Sequence, residues 1–190
     1  MIYKLTDAAW QTYGGIQWGP GVTHEADRSL PPTLCTAGVI HAYTHPLLAV
    51  LLDPIHGQYG EGARLWEAQG RVVARDNGLK VGCRSLTTRR QIEVPAVTTV
   101  DRIRFALLCA LAATPNTPDT PDASAWREWA DGWLAGANRS CWATNSAALA
   151  MWTERAAACV ASWTAEEQAL AGARPLDLVK MAKLAVEDPS

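Results

Sequence analysis

Up to about residue 97, apolar residues come in short runs broken by Gly, Pro and Asn; beyond it they recur every three to four positions. Ile2–Leu5 and Val39–Tyr43 are predicted strands, and Gly14-Gly15 and Trp18-Gly19-Pro20-Gly21 mark turns. Pro46 suits the first turn of a helix, which predicts a short helix over Leu47–Leu52 that Asp53-Pro54 stops. Arg64–Arg75 and Leu79–Cys83 flank Asp76-Asn77-Gly78, and Asn-Gly tolerates the positive φ of a tight hairpin turn. Leu86–Val94 reads as the last strand before Pro95. The predicted core of this half is Val39, Ile40, Leu47, Leu48, Leu51, Leu65, Val72 and Leu86.

The second half reads as helical. Thr98 or Thr99 caps a helix to about Ala112, with Val100, Ile103, Leu107 and Leu111 inward. Thr114–Pro121 holds three prolines in eight residues and reads as a linker or rigid loop. A helix carrying Trp126–Trp133 follows, ending near Gly136, and a long one begins around Ser140. On that long helix Trp142, Leu149, Ala156, Trp163 and Leu170 recur every seven residues and define one face, with Asn145, Trp152 and Cys159 beside it. Thr164-Ala165-Glu166-Glu167 fits a capping box and predicts a new helix start. Pro175 opens the last helix, to about Val186. The expectation is an α+β protein: a β-rich N-terminal unit over residues 1–97 with one short helix, then an all-helical half over 98–190.

Six of the nine tryptophans lie between residues 126 and 163. Core packing accounts for a stripe of this kind, but a small helical unit cannot enclose so many indoles. Exposed aromatic area is where binding energy concentrates. Trp126, Trp129, Trp133 and Trp152 are therefore the candidate binding residues, for a host protein or a second copy of the chain.

Formal net charge is −2, so no global field drives the chain onto nucleic acid or an acidic membrane. Residues 71–104 nevertheless hold eight arginines and lysines against three carboxylates. Arg84, Arg89 and Arg90 make this stretch a candidate nucleic-acid or anion surface, with a solvated strand face as the plain alternative. Five cysteines, odd in number and without a CxxC pair, suit reduced thiols in a cytoplasm better than a disulfide framework. No apolar run approaches the roughly 20 residues that span a bilayer, so no membrane partner is expected. MIYKLTDAAW lacks the layout of a signal peptide.

Few catalytic signals are present. GxGxxG, GxxxxGK[ST], GxSxG and HExxH are all missing, and no cofactor is expected. His41 and His45 could join Cys35 and Cys83 around zinc, but these four lack structural-site spacing, so no metal is expected; His45 reads better as a polar residue at a helix start. Glu67 could pair with His41 as acid and base if their strands adjoin.

The segments "GGIQWGPGVTHEA", "LCTAGVIHAYTHPLLAVLLDPIH", "RLWEAQG", "LKVGC", "LTTRRQIEVP" and "TTVDRIRFALLCAL" resemble an uncharacterised family of small proteins of tailed bacteriophages and actinobacterial prophages. Its members join such an N-terminal domain to an alanine-rich helical tail. The likeness covers residues 1–112 by motif and the tail by composition. It implies a phage-type accessory protein in the host cytoplasm, non-enzymatic, binding a host macromolecule in anti-defence or host takeover. The layout of Tyr3-Lys4 on a first strand, Tyr43-Thr44 before a helix and a late Glu93 is also similar to ADP-ribosyltransferase-like domains. That likeness implies a nucleotide-using enzyme, or a degenerate relative, with His41, Tyr43 and Glu93 near its site.

Overall fold

The computed structural model describes residues 1–113, 121–137, 154–170, 172 and 175–187. It is an α+β protein that divides into two compact units, Met1–Ala96 and Val97–Ser190.

In the N-terminal unit, strands β1 (Ile2–Thr6), β6 (Arg64–Gln69), β9 (Ser85–Ile92) and β4 (Thr23–Glu25) form an antiparallel sheet in the order β1-β6-β9-β4. A second sheet has the order β5-β8-β7, from β5 (Ile40–Ala42), β7 (Val72–Asp76) and β8 (Lys80–Cys83). Strands β2 (Gln11–Thr12) and β3 (Ile16–Gln17) make a small hairpin whose tip is a 3-10 turn, Tyr13–Gly15. The two larger sheets are joined by one bridge, in which the Tyr3 and Tyr43 amides each donate to the other's carbonyl at 2.8 Å.

Local chemistry explains most of these elements. Asn77 and Gly78 carry φ of 40° and 88°, the left-handed pair that the β7–β8 hairpin turn requires. Pro46 occupies the first turn of α1 (Pro46–Leu51), and the His45 imidazole caps it by accepting from the Leu47 amide at 3.3 Å. Asp53-Pro54 does not simply stop the chain: it starts a further helical turn, α2 (Asp53–His56), with proline again at a position that needs no donor. Arg64–Arg75 is not one strand. It breaks at Gly70, where a Cβ would come within 2.6 Å of the Ser85 carbonyl, so the chain leaves one sheet for the other through a gap that only glycine fits.

Apolar burial follows the alternation. Leu48, Leu65 and Leu86 are fully enclosed, Val39, Leu47 and Leu51 are buried, and Ile40 and Val72 pack half-buried against the cluster formed by Ile2, Trp18, Ala42, Val81 and Leu86.

In the C-terminal unit α3 (Thr99–Ala113) packs against α4 (Pro121–Leu134), α5 (Glu154–Leu170) and α6 (Leu178–Glu187). Thr98 caps α3, accepting from the Asp101 amide while the Asp101 carboxylate takes the Thr98 amide. Trp133 is buried against Leu107 and Ala130, with Trp126 and Trp129 half-buried around them. The start of the long helix near Ser140, with Trp142, Leu149 and Trp152, lies outside the described residues. Two expectations about helix starts are corrected. Helix α5 runs through Thr164 unbroken, because its hydroxyl donates back to the Val160 carbonyl instead of capping a new start. Trp163 and Leu170 face solvent, 63% and 89% exposed, while Ala158, Ala161 and Ala165 are the buried face. The last helix begins at Leu178, not at Pro175, since the Asp177 carboxylate accepts from the Lys180 amide and sets the N-terminus.

Two substitutions test this packing. Leu48→Ala should cost about 2–5 kcal/mol in chemical denaturation; a midpoint like that of the unaltered protein would remove α1 from the core. In the helical unit Trp133→Ala should cost about 3–5 kcal/mol, whereas Trp163→Ala should stay within about 0.5 kcal/mol. Equal effects would show that the two indoles share one environment.

Candidate functional site

A cavity of about 700 Å³ opens in the N-terminal unit, with Lys4, His41, Tyr43, His56, Tyr59 and Lys80 among its walls. Strand order brings these residues together. β1 supplies Lys4, β5 and the residue after it supply His41 and Tyr43, α2 ends on His56, and β8 begins with Lys80.

Lys4 lies next to the sheet-joining bridge. Its Nζ donates to the His41 carbonyl at 2.9 Å and stands 5.2 Å from the centre of the Trp18 ring. Burial lowers its ammonium to about 8, partly offset by the neighbouring Cys83 thiol. Among the described residues no carboxylate forms a salt bridge with it. Lys80, by contrast, has Asp76 at 3.9 Å and donates to Cys35 Sγ at 3.2 Å.

Both histidines are held neutral. His41 is lowered to about 4 by burial, then by Lys80 and Lys4. Its Nε2 accepts from the Cys35 amide at 2.9 Å, so the ring proton belongs on Nδ1. His56 is lowered to about 3 by burial, then by Lys80 and His41. Its Nδ1 lies 3.1 Å from the Tyr43 hydroxyl, which burial and the Asp53 charge keep protonated well above the ordinary phenol range. Tyr43 and His56 thus share a hydrogen bond between two neutral groups. Buried Asp53 accepts from the Tyr59 and Gly60 amides at 3.1 and 3.0 Å and shapes the loop that carries Tyr59. Burial and Asp53 push the Tyr59 phenol up to about 12.

Of the residues named from sequence for a nucleotide-using site, His41 and Tyr43 line this cavity. Glu93 does not: it is exposed, one residue beyond the end of β9. Glu67 does not meet His41 either, because its carboxylate takes the Arg90 guanidinium in a two-pronged contact at 2.8 Å on the β6–β9 pair. The cavity's own carboxylates are engaged elsewhere: Glu25 with Arg28 at 3.3 Å, and Asp27 with the Ser29 amide and hydroxyl. Among the described residues no group of three or more His, Cys, Asp or Glu is arranged to hold a metal.

Several side chains of the basic stretch 71–104 have partners within the fold. Arg84 Nη1 donates to the Asp27, Leu30 and Gly38 carbonyls at 2.8–3.1 Å and ties down the loop between β4 and β5. Arg89 bonds Gln69, Arg90 pairs with Glu67, and Arg102 and Arg104 are buried in α3. Trp126, Trp129 and Trp133 sit in the helical unit's own packing, and Trp152 lies outside the described residues.

Lys4, His56, Tyr59 and Lys80 carry no motif. From sequence Lys4 stood out only beside Tyr3, as the first-strand pair of the ADP-ribosyltransferase-like layout, and β1 leaves it half-buried. No helix among the described residues is long and apolar enough to cross a membrane. No protein-family model, curated protein or solved structure matches the chain.

The depressed histidines set an acid limit. Both would be protonated near 6.5 when unfolded but only near 4 and 3 when folded. The unfolded chain therefore binds more protons between these values, and stability present above pH 6.5 is lost as pH falls. Melting temperature should drop progressively from pH 7 to about 4, and more shallowly in His56→Gln. A variant with the same slope would show that His56 titrates alike in both states.

Proposed function

We propose that this protein works by binding and not by turnover: its N-terminal unit holds a small phosphate-bearing ligand of the nucleotide class. The observation that carries this reading is Lys4, a half-buried cation on the cavity wall whose partners are a carbonyl and an aromatic face. A buried charge is costly unless an opposite charge meets it, and an anionic ligand in the cavity would supply one. Lys80 adds a second cation on the same cavity. The volume falls in the range of small-molecule sites.

This reading joins two expectations from the sequence. One is a non-enzymatic accessory protein of phage type acting on a host component. The other is an ADP-ribosyltransferase-like layout that keeps a nucleotide pocket without its carboxylate, in keeping with Glu93 lying off the cavity. Trp163 and Leu170, exposed on one side of α5, favour a separate role for the helical unit in docking a host protein.

Titration calorimetry with AMP and inorganic pyrophosphate tests the pocket. Binding should weaken as pH rises through about 8 and Lys4 loses its proton. Lys4→Met should reduce affinity at least tenfold while leaving the melting temperature unchanged or higher, since it removes a half-buried charge. Undiminished binding by that variant would sink the reading.

A further inference from the structure

Lys4 and Lys80 stand half-buried in the cavity wall, and the β2–β3 hairpin adds far more exposed residues to the same wall. Tyr13 and Ile16 both line the cavity, yet Tyr13 is 96% exposed and Ile16 44% exposed. The other aromatic residues of this cavity are covered to different degrees: Trp18 is buried against the core, Tyr43 is buried and within hydrogen-bond distance of His56, and Tyr59 is half-buried. Tyr13 alone among these offers an uncovered ring.

The hairpin is held at its base and open at its tip. Trp10 stacks edge-on against buried Trp66 at 5.2 Å, and the Gln11 amide donates to the Asp7 carboxylate at 2.7 Å. The Gln11 and Gln17 side chains bond across the hairpin at 3.1 Å and the Trp18 indole donates to the Thr12 hydroxyl at 3.0 Å, which places the tip beside the cavity. Gly14 and Gly15 follow Tyr13 with φ of 76° and 73°, and no atom lies within 4 Å of where their Cβ atoms would be. The ring therefore has a positioned backbone and free space around it.

We infer that Tyr13, with Ile16 beside it, stacks on the base of a nucleotide that enters phosphate first, so that its phosphates meet Lys4 and Lys80 and its base remains at the hairpin. This rests on the nucleotide reading above and adds the ligand's orientation and the residues that select for a base. Stacking on an aromatic ring tolerates any base, because each has a π face, and it adds to the attraction between phosphate and cation. A base directed at the lysines would instead meet the charged end of Lys4 and leave the phosphates among Tyr13, Ile16 and the glycines.

The test compares AMP with inorganic pyrophosphate on the full chain, unaltered and with Tyr13→Ala or Tyr13→Phe, by titration calorimetry. An exposed side chain contributes little to folding, so equal melting temperatures verify that each variant is intact. The expected result is that Tyr13→Ala loses about tenfold in affinity for AMP, about 1.4 kcal/mol, with pyrophosphate affinity changed less than twofold and Tyr13→Phe restoring AMP binding. An unchanged AMP affinity, or an equal loss for both ligands, overturns the stacking role. Pyrophosphate binding as tight as AMP binding in the unaltered protein overturns the orientation and leaves the anion pocket standing. Failure of both ligands to bind overturns the pocket and this inference together.

Discussion

Two backbone hydrogen bonds between Tyr3 and Tyr43 hold the β1 sheet to the β5 sheet, and the N-terminal unit's chemistry depends on them. Besides this bridge the sheets share an apolar cluster, with Ile2, Ala68 and Leu86 from one and Ala42, Val81 and Cys83 from the other, and the covalent connection through Gly70. With the bridge, the residue after Tyr3 and the residue two before Tyr43 come close enough for the Lys4 ammonium to reach the His41 carbonyl. A lysine charge drawn partly out of water is unfavourable, so its place on β1 needs a compensating structure. Here that structure is a carbonyl, the Trp18 π face and an open cavity. Strand pairing therefore sets the depth of the cation, and the cation sets what the cavity can accept.

The titratable groups around it form a coupled set. Lys4 and Lys80 both depress His41, and Lys80 and His41 depress His56. Burial first, and then this positive charge, keeps the imidazoles neutral, and neutral imidazoles can act as acceptors. His41 receives the Cys35 amide, and His56 shares a hydrogen bond with the Tyr43 hydroxyl. An anion entering this space would oppose every one of those depressions at once. Its binding would draw the set toward protonation, so ligand and proton are linked through shared electrostatics and need no conformational switch.

How much of this was legible in the sequence follows from the range of each interaction. Local signals worked where local sterics decide: Asn77-Gly78 at a hairpin turn, Pro46 at a helix start, Thr98 at the cap of α3. They failed where a distant partner decides. Arg64–Arg75 looks like one strand until the Ser85 carbonyl approaches Gly70. Thr23–Glu25 is too short and polar to be recognised as a strand, and it exists because β9 offers it an edge, with the Thr23 and Thr87 hydroxyls 2.8 Å apart. The cavity shows the same division. His41 and Tyr43 were visible as polar residues on a strand, but His56 and Asp53 looked like parts of a helix stop, because only the fold turns them toward Tyr43.

The helical unit shows why size is a poor guide to which face is buried. A seven-residue recurrence of Trp163 and Leu170 selects the largest side chains, and on α5 those are the ones in water. The face turned inward is Ala158, Ala161 and Ala165, spaced at i, i+3 and i+7. Small residues let two helix backbones approach closely and make many weak contacts that are individually slight and collectively large. Helix α3 lies against α5, and it carries the bulk itself, with Phe105 and Leu107 buried. Large side chains on one helix need small ones on the other if the interface is to reach interior density without strain. The alanine richness of α5 is therefore a packing specification: it leaves α3 the filling of the interface and puts the indole of Trp163 outside it.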